Sequence, residues 1–209
     1  MTTIRLTTAE QRLAELAERA RAELDMLSFA TKPWVLPRTH QGQSIPDVII
    51  IGAGQSGLVA GHALKRRGVT NILVLDRNPE GYEGVWETYA RNYEIRSPKE
   101  ISGADLGLPS MTIQSFFVAK HGTEAWNRIK RVPRLDWMDY LRWYRKIADL
   151  PIVNDIRIVD IAYDAEGVTL TADSGRVFRS RLAILATGMD GGGSWNTPAI
   201  ITENLPKDR

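Results

Sequence analysis

The spacing of apolar positions near the N-terminus predicts an amphipathic helix. Thr7 and Glu10 have the spacing of a capping box, and apolar residues then recur at three- and four-residue steps over residues 8–27. The apolar positions are Leu13, Leu16, Ala17, Ala20, Leu24 and Leu27. We expect this face to pack on the helix's own domain, and the alternative is a contact that joins a homodimer or a complementary subunit.

The residues after this helix predict a connector without regular structure. The chain breakers in this stretch are Pro33, Pro37, Gly42 and Pro46. They interrupt residues 30–46, so we expect the main domain to start near Asp47. This gives two parts, an N-terminal helix with its connector over residues 1–46 and one α/β domain over residues 47–209.

Short apolar runs in the main domain alternate with a helical pattern. Residues 47–51 and 71–75 are predicted strands, and residues 56–67 between them are a predicted helix. A strand, a crossover helix and a second strand predict a parallel sheet. Residues 79–110 form a long loop region, and loops of that length in a compact domain are usually functional.

A helix with an aromatic stripe is predicted after Asp136. Apolar and aromatic residues line one side of it, while Arg142, Arg145 and Lys146 fall towards the other side. We interpret the stripe as core. Its members are Trp137, Tyr140, Leu141, Tyr144, Ile147 and Ala148.

The last third of the chain predicts an antiparallel β-meander followed by a return to the parallel sheet. The meander strands are at residues 156–163, 168–172 and 176–178. Residues 182–186 are then continuously apolar, which is typical of a strand buried on both faces. Thr187 and Gly188 would follow at the carboxyl end of that strand.

Composition and charge limit the kinds of partner. The 209 residues are 43% hydrophobic, enough for a buried core. The 27 basic and 25 acidic residues give a net charge of +2, so we expect a small-molecule substrate and neither nucleic acid nor a membrane as a partner. The chain has no cysteine, which excludes disulfides and a thiolate nucleophile, and we predict no metal site. Redox chemistry would therefore need a bound cofactor.

The N-terminus does not have the pattern of a targeting signal. Glu10, Glu15, Glu18 and Glu23 interrupt its apolar residues, unlike a secretory signal or a basic transit peptide. No apolar run approaches the roughly 20 residues that cross a bilayer as a helix. We expect a cytoplasmic protein.

A glycine-rich motif lies directly between the first predicted strand and the helix that follows. Gly52, Gly54 and Gly57 fit the GxGxxG pattern of dinucleotide-binding folds, with Gln55 and Ser56 between them. The first glycine permits the tight turn, the second lets backbone approach a pyrophosphate, and the third lets the helix pack close to the sheet. The free amides at the helix start would then bind the diphosphate without a lysine.

An acidic residue ends the second predicted strand, where it can accept hydrogen bonds from the hydroxyls of an adenosine ribose. This residue is Asp76, and its carboxylate would repel a 2′-phosphate, which favours FAD or NAD over NADP at this site. The neighbouring Arg77 is included as a candidate cofactor neighbour and weakens that discrimination. The alternative for Arg77 is an exposed, solvated charge.

Together with two further segments, these motifs resemble a known family. The segments are residues 83–86, Glu-Gly-Val-Trp, and residues 185–188, Leu-Ala-Thr-Gly. From about residue 47 to 200 the chain resembles the FAD-binding part of flavoprotein monooxygenases and related FAD/NAD(P)-dependent oxidoreductases. Gly84-Val85-Trp86 is similar to the Gly-Gly-x-Trp pattern of the monooxygenases, and the stretch from Ser97 to Pro109 is also similar to them.

The resemblance implies a Rossmann-like FAD-binding domain and a set of cofactor neighbours. It implies that Gly52, Gly54 and Gly57 hold the FAD pyrophosphate and that Asp76 holds the adenosine ribose. The further residues that it implies near the cofactor are Gly84, Trp86, Thr187 and Gly188. In the full system NADPH would reduce the flavin, which would then activate oxygen or pass electrons on.

Two departures from the family limit this expectation. Glu83 stands where the Gly-Gly-x-Trp pattern has its first glycine. The asparagine that many flavin-containing monooxygenases use to support the oxygenated flavin is not found near Arg96 and Ser97. The sequence also contains no second GxGxxG motif, so NADPH is expected only if a second domain or subunit supplies its site.

The sequence therefore predicts an FAD-dependent, monooxygenase-like oxidoreductase in a truncated or split form. One alternative is a non-catalytic FAD-binding remnant or partner-binding module, and another is an NAD-dependent dehydrogenase domain. We assign no catalytic residue, because His40, His62 and His121 are scattered along the chain.

Overall fold

The fold was obtained as a computed structural model, which describes residues 8–27, 34–101, 103–188, 191 and 198–204. The helices among these residues are α1 (Ala9–Leu27), α2 (Gln55–Arg66), α3 (Ile113–His121), α4 (Thr123–Arg128), α5 (Arg134–Ala148) and α6 (Ala199–Asn204). The strands are β1 (Arg38–His40), β2 (Gln43–Ile45), β3 (Val48–Ile51), β4 (Ile72–Leu75), β5 (Ile152–Val153), β6 (Ile158–Asp164), β7 (Gly167–Ala172), β8 (Val177–Ser180) and β9 (Leu182–Leu185).

The centre of the fold is a parallel sheet with the strand order β5-β4-β3-β9. All four residues of β3 are buried, because both faces of the strand are covered. Val48 and Ile50 belong to an apolar cluster that includes residues of α2, whereas Ile49 and Ile51 face the meander. The predicted βαβ unit and its parallel sheet are confirmed.

The predicted meander is also confirmed. β6, β7 and β8 pair in order as an antiparallel sheet. Leu170 and Phe178 from this sheet pack against Ile49 and Leu75 of the parallel sheet. The fold is therefore α/β, with helices on one face of the parallel sheet and a meander on the other.

The helices form the largest apolar cluster. Trp137, Tyr140 and Tyr144 of α5 are almost fully buried in it, so the aromatic stripe is core, as predicted. Leu16 and Ala20 of α1 belong to the same cluster. The apolar face of α1 thus packs against α3 and α5 of its own chain.

The connector after α1 differs from the prediction. Instead of irregular chain, β1 and β2 form a short antiparallel hairpin. Gln41 and Gly42 have φ angles of 50° and 78°, which make a two-residue turn whose twist suits paired strands. The prolines were read as breaking the whole segment, but Pro37 and Pro46 lie just outside the two strands.

Strand β9 lies in the parallel sheet, as predicted, but the expectation that it is buried on both faces is wrong. Leu182 and Leu185 are 58% and 63% exposed. Within the described part of the chain, β9 pairs only with β3 and forms an edge of the sheet. A run of apolar residues predicts a strand that favours burial, but it does not identify the segment that covers the strand.

No helix among the described residues is long and apolar enough to cross a membrane. The same residues contain no group of three or more histidine and acidic side chains placed to hold a metal ion.

The buried His62 gives a pH dependence that can be measured. Burial, together with Arg66 and Lys65, lowers the pKa of His62 from 6.5 to about 4, and its Nδ1 lies 2.5 Å from the hydroxyl of Tyr144. The unfolded chain therefore binds more protons than the folded chain between pH 4 and 6.5, so the free energy of unfolding falls as the pH is lowered through this window. We expect this residue to contribute a loss of about 2 kcal/mol, because solvent screening reduces the effect of the neighbouring charges.

Urea unfolding of the wild type and of His62→Asn between pH 4 and 7 measures this contribution. The asparagine can keep a hydrogen bond to Tyr144 but does not titrate. The variant should lose stability less steeply than the wild type on acidification. Parallel curves for the two proteins would contradict the assignment.

Candidate dinucleotide-binding site

A cavity of about 330 Å³ opens at the carboxyl ends of β3, β4 and β9. In open α/β sheets this edge is where ligands bind, and the volume lies in the range of small-molecule sites. The cavity is lined by the glycine turn before α2, the end of β4, the loop after β4, the start of the meander and the residues after β9.

Backbone packing fixes the glycine turn. Gly52 has a φ of 106°, which side chains rarely allow, and a Cβ there would overlap the carbonyl oxygen of Ala186. A Cβ on Gly57 would overlap the carbonyl oxygen of Gly52. Both glycines are therefore required for β3, α2 and β9 to meet.

Gly54 has a different role, because its position would accept a Cβ. The nearest atom to such a Cβ is the Cα of Gly84 at 3.4 Å, an ordinary contact, and Gly54 has an unstrained φ of −67°. Gly54 lines the cavity together with Gln55 and Ser56. Absence of a side chain here leaves space on the cavity side of the turn.

The N-terminus of α2 is open to an anion. Its N-cap, Gly54, makes no side-chain capping bond, and the first turn contains no acidic residue. Lys65 and Arg66 lie in the last turn, where they complement the opposite end of the helix dipole. The first amides of α2 thus carry partial positive charge at the cavity with no carboxylate from their own helix to neutralise it.

Asp76 is buried at the end of β4, and its carboxylate binds the backbone of the glycine turn. One carboxylate oxygen accepts a hydrogen bond from the amide of Ala53 at 2.7 Å, and the other accepts one from the amide of Asn78 at 2.8 Å. A carboxylate has about four lone-pair sites, so capacity remains for hydroxyl donors. Asp76 also lines the cavity, where such donors would arrive.

The loop after β4 supplies the opposite wall of the cavity. Gly84, with a φ of 78°, lies against Gly54 with backbone facing backbone. Trp86 lines the cavity and also packs edge-on against Trp137 at 6.3 Å between ring centroids. This tryptophan therefore connects the cavity to the helical core.

The residues that the sequence singled out for a cofactor come together around this cavity. All of them line it except Gly57, which lies beneath the turn. Those that line it are Gly52, Gly54, Gln55, Ser56, Asp76, Arg77, Gly84, Trp86, Thr187 and Gly188. Arg77, Thr187 and Gly188 are exposed at the mouth of the cavity.

Some lining residues were missed. They are Ile51, Leu75, Asn78, Val85, Tyr89, Ile156, Arg157, Ile158, Ala186 and Gly191. Val85 and Tyr89 belong to the long loop over residues 79–110, so its length was the available signal. Arg157 and its neighbours reach the cavity because the meander starts directly beside the end of β4. The local sequence pattern does not indicate this placement.

The three histidines have other surroundings. His62 is buried beside Tyr144, His40 lies 3.1 Å from Glu166, and His121 lies 2.7 Å from Asp136. None of them is among the described residues that line the cavity.

Several known proteins are similar to this chain. An FAD-dependent urate hydroxylase of Xanthomonas campestris pv. campestris is 45% identical over 199 residues, which cover 94% of this chain and 42% of that protein. The structure of a flavin-containing monooxygenase from Stenotrophomonas maltophilia is 27% identical and superposes with a TM-score of 0.53, covering 68% of this chain and 38% of that one.

A cadaverine monooxygenase of desferrioxamine biosynthesis from Erwinia amylovora, solved with FAD, superposes with a TM-score of 0.58 over 75% of this chain and 38% of that one. At 19% identity this likeness concerns the fold alone. The chain spans about two fifths of the length of the curated relatives that it matches.

A family model described as FAD-NAD(P)-binding matches residues 49–190, which contain the parallel sheet, the glycine turn and the meander. The part of the chain that builds the cavity is thus the part that the family shares. The chain belongs to this FAD-NAD(P)-binding family.

Proposed function

We propose that this chain binds the FAD of a monooxygenase-like oxidoreductase. The observation that carries the proposal is the uncapped start of α2, which opens into the cavity through a glycine turn with no side chain at Gly54. The partial positive charge of the α2 amides and the absence of a side chain at Gly54 lie at the same point of the cavity, and together they fit a diphosphate. Membership of the FAD-NAD(P)-binding family supports a dinucleotide as the source of that diphosphate.

Each part of the site would hold a different part of FAD. The amides of Gln55 and Ser56, beside Gly54, would bind the diphosphate, while Gly52 and Gly57 keep the turn closed. Asp76 would accept hydrogen bonds from ribose hydroxyls. The remaining neighbours that we propose are Arg77, Gly84, Trp86, Thr187 and Gly188.

The redox chemistry would come from FAD, which when bound takes up hydride from a reduced nicotinamide and passes the electrons on. The chain's own residues bind the cofactor and exclude water from one side of it. We assign no proton-transfer residue here. NADPH would need a second domain or subunit for its site.

We propose residues 47–209 as the FAD-binding domain and residues 1–46 as an N-terminal helix and connector. Most of the apolar face of α1 packs against its own chain, although Leu27 is 44% exposed, and Arg12 donates from α1 to the carbonyl of Ala119 at 2.8 Å. These contacts favour packing within the domain over a homodimer through α1. A cytoplasmic location stays a proposal from the composition.

The substrate of the complete enzyme is a small molecule in this proposal. Urate is the first compound to test, because the similar protein from Xanthomonas campestris is named a urate hydroxylase. The non-catalytic FAD-binding module remains the second candidate function.

The first experiment is purification of the chain and analysis of what it retains. We expect a yellow protein whose flavin is released on heating, and no oxidation of NADPH until a polypeptide with the remaining sequence of such relatives is added. NADPH consumption after that addition separates the oxidoreductase from the non-catalytic module. A colourless chain that takes up no FAD and is stabilised by NAD would instead indicate a dehydrogenase domain.

Substitution of Gly54 should remove FAD without removing the fold. A valine at this position adds bulk on the cavity side, where the diphosphate would lie, so Gly54→Val should retain no flavin and Gly54→Ala should retain less than the wild type. Flavin absorbance per chain measures the loss, and circular dichroism checks the fold. Gly57→Ala is the matched control. A Cβ at this position overlaps the carbonyl oxygen of Gly52, so this variant should lose the fold together with the flavin. Full flavin content in Gly54→Val would be incompatible with the site.

Substitution of Asp76 tests the ribose contact. Asp76→Asn loses the charge and half of the acceptor capacity, and its NH2 group must face the amide of Ala53 or of Asn78. FAD binding should therefore weaken by at least about 10-fold, the lower value of one hydrogen bond to a charged group. Titration of the apoprotein with FAD, followed by fluorescence quenching, gives the affinity. AMP should compete for the wild-type site, and unchanged competition in Asp76→Asn would argue against the ribose contact.

A further inference from the structure

The loop that supplies one wall of the cavity is held by arginines of α5. This loop, residues 78–92, carries Gly84 and Trp86. Arg142 donates to the carbonyl of Gly81 at 2.6 and 2.9 Å, and Arg134 donates to the carbonyl of Trp86. Arg145 forms an ion pair with Glu83. The charged side of α5 is therefore directed at the cofactor loop.

Glu83 is the most deeply buried charge in this arrangement. Its side chain is 5% exposed, and that of its partner Arg145 is 15% exposed. Glu80 also approaches Arg145, at 3.8 Å, but it is 72% exposed and therefore screened by solvent. The Glu83–Arg145 pair is the contact that solvent cannot replace.

Both oxygens of the Glu83 carboxylate accept hydrogen bonds from the loop and its supports. One oxygen accepts from Arg145 and from the Asn154 amide at 2.8 Å, and the other accepts from the backbone amide of Gly81 at 3.0 Å. Asn154 in turn accepts from Arg145 at 3.0 Å and donates to the carbonyl of Asn78 at 2.9 Å. The network ties the start and the middle of the loop to α5 and to the residue after β5.

The effect of this network reaches the cavity through one peptide unit. Gly84 follows Glu83 directly, and its Cα lies 3.4 Å from the position of a Cβ on Gly54. A displacement of Glu83 thus moves the backbone that faces the glycine turn. A buried ion pair rarely adds much net stability, but removal of one partner leaves an uncompensated buried charge, which favours another arrangement of the segment.

We propose that Glu83 is a positioning residue for the cofactor, and that its ion pair with Arg145 fixes the distance between Gly84 and Gly54. The inference rests on the proposed FAD function. It also explains why glutamate stands where the monooxygenase pattern has glycine. A glycine there would have no side chain to reach Arg145 and Asn154.

The test compares Glu83→Gln with a control ion pair on the same helix. Asp136 accepts from Lys120 at 2.7 Å and is part-buried, but it does not touch the loop, so Asp136→Asn is the control. We expect Glu83→Gln to weaken FAD binding by about 10- to 100-fold and to change the visible circular dichroism of the bound flavin. Asp136→Asn should lower the unfolding midpoint but leave FAD affinity and the flavin spectrum unchanged.

Two further measurements separate positioning from a general loss of stability. Hydrogen exchange of the apoprotein should become faster in residues 78–92 of Glu83→Gln and stay unchanged in the meander. In a double-mutant cycle, Arg145→Gln should weaken FAD binding as well, and the double variant should bind no more weakly than either single variant, because the two residues act as one pair.

The outcomes distinguish this inference from the proposed function. A wild-type chain that takes up no FAD overturns the proposed function. A wild-type chain that binds FAD, together with a Glu83→Gln variant of equal affinity and spectrum, overturns the positioning role alone. Equal losses of affinity in Glu83→Gln and Asp136→Asn would also overturn it, since they would indicate a stability effect.

Discussion

The backbone contact between Gly52 and Gly57 is the constraint on which the site depends. Neither residue has room for a Cβ, because each lies against a carbonyl oxygen, Gly52 against Ala186 and Gly57 against Gly52. This contact brings the start of α2 to the carboxyl edge of the sheet. The cavity, the exposed helix amides and the buried carboxylate of Asp76 are all arranged around it.

The helix α5 connects this edge to the core. One side of it contributes Trp137, Tyr140 and Tyr144 to the largest apolar cluster, and another side directs arginines to the cofactor loop. Trp86 completes the connection, since it lies both on the cavity wall and against Trp137. The position of the loop that forms the cavity wall is therefore coupled to the packing of the helical core.

Local patterns in the sequence were sufficient to predict the α/β fold and half of the residues that line the cavity. The GxGxxG motif between a strand and a helix fixed the position of the turn, and chain order then brought Asp76 and Thr187 to the same edge. The role of Glu83 could not be predicted in this way, because its partners Arg145 and Asn154 are distant in sequence and meet it only after folding. In the same manner, helical periodicity placed Arg142 and Arg145 on the side opposite the aromatic stripe, but it does not report a loop packed on that side.

The open edge at β9 has a consequence for the behaviour of the chain in concentrated solution. Leu182 and Leu185 face water there, next to backbone groups that no described strand pairs with. Such an edge is a template for adding another extended segment, whether from the same polypeptide, a second copy or an unrelated protein. A segment that covers β9 would therefore limit such pairing, and this effect is separate from the affinity of the chain for a dinucleotide.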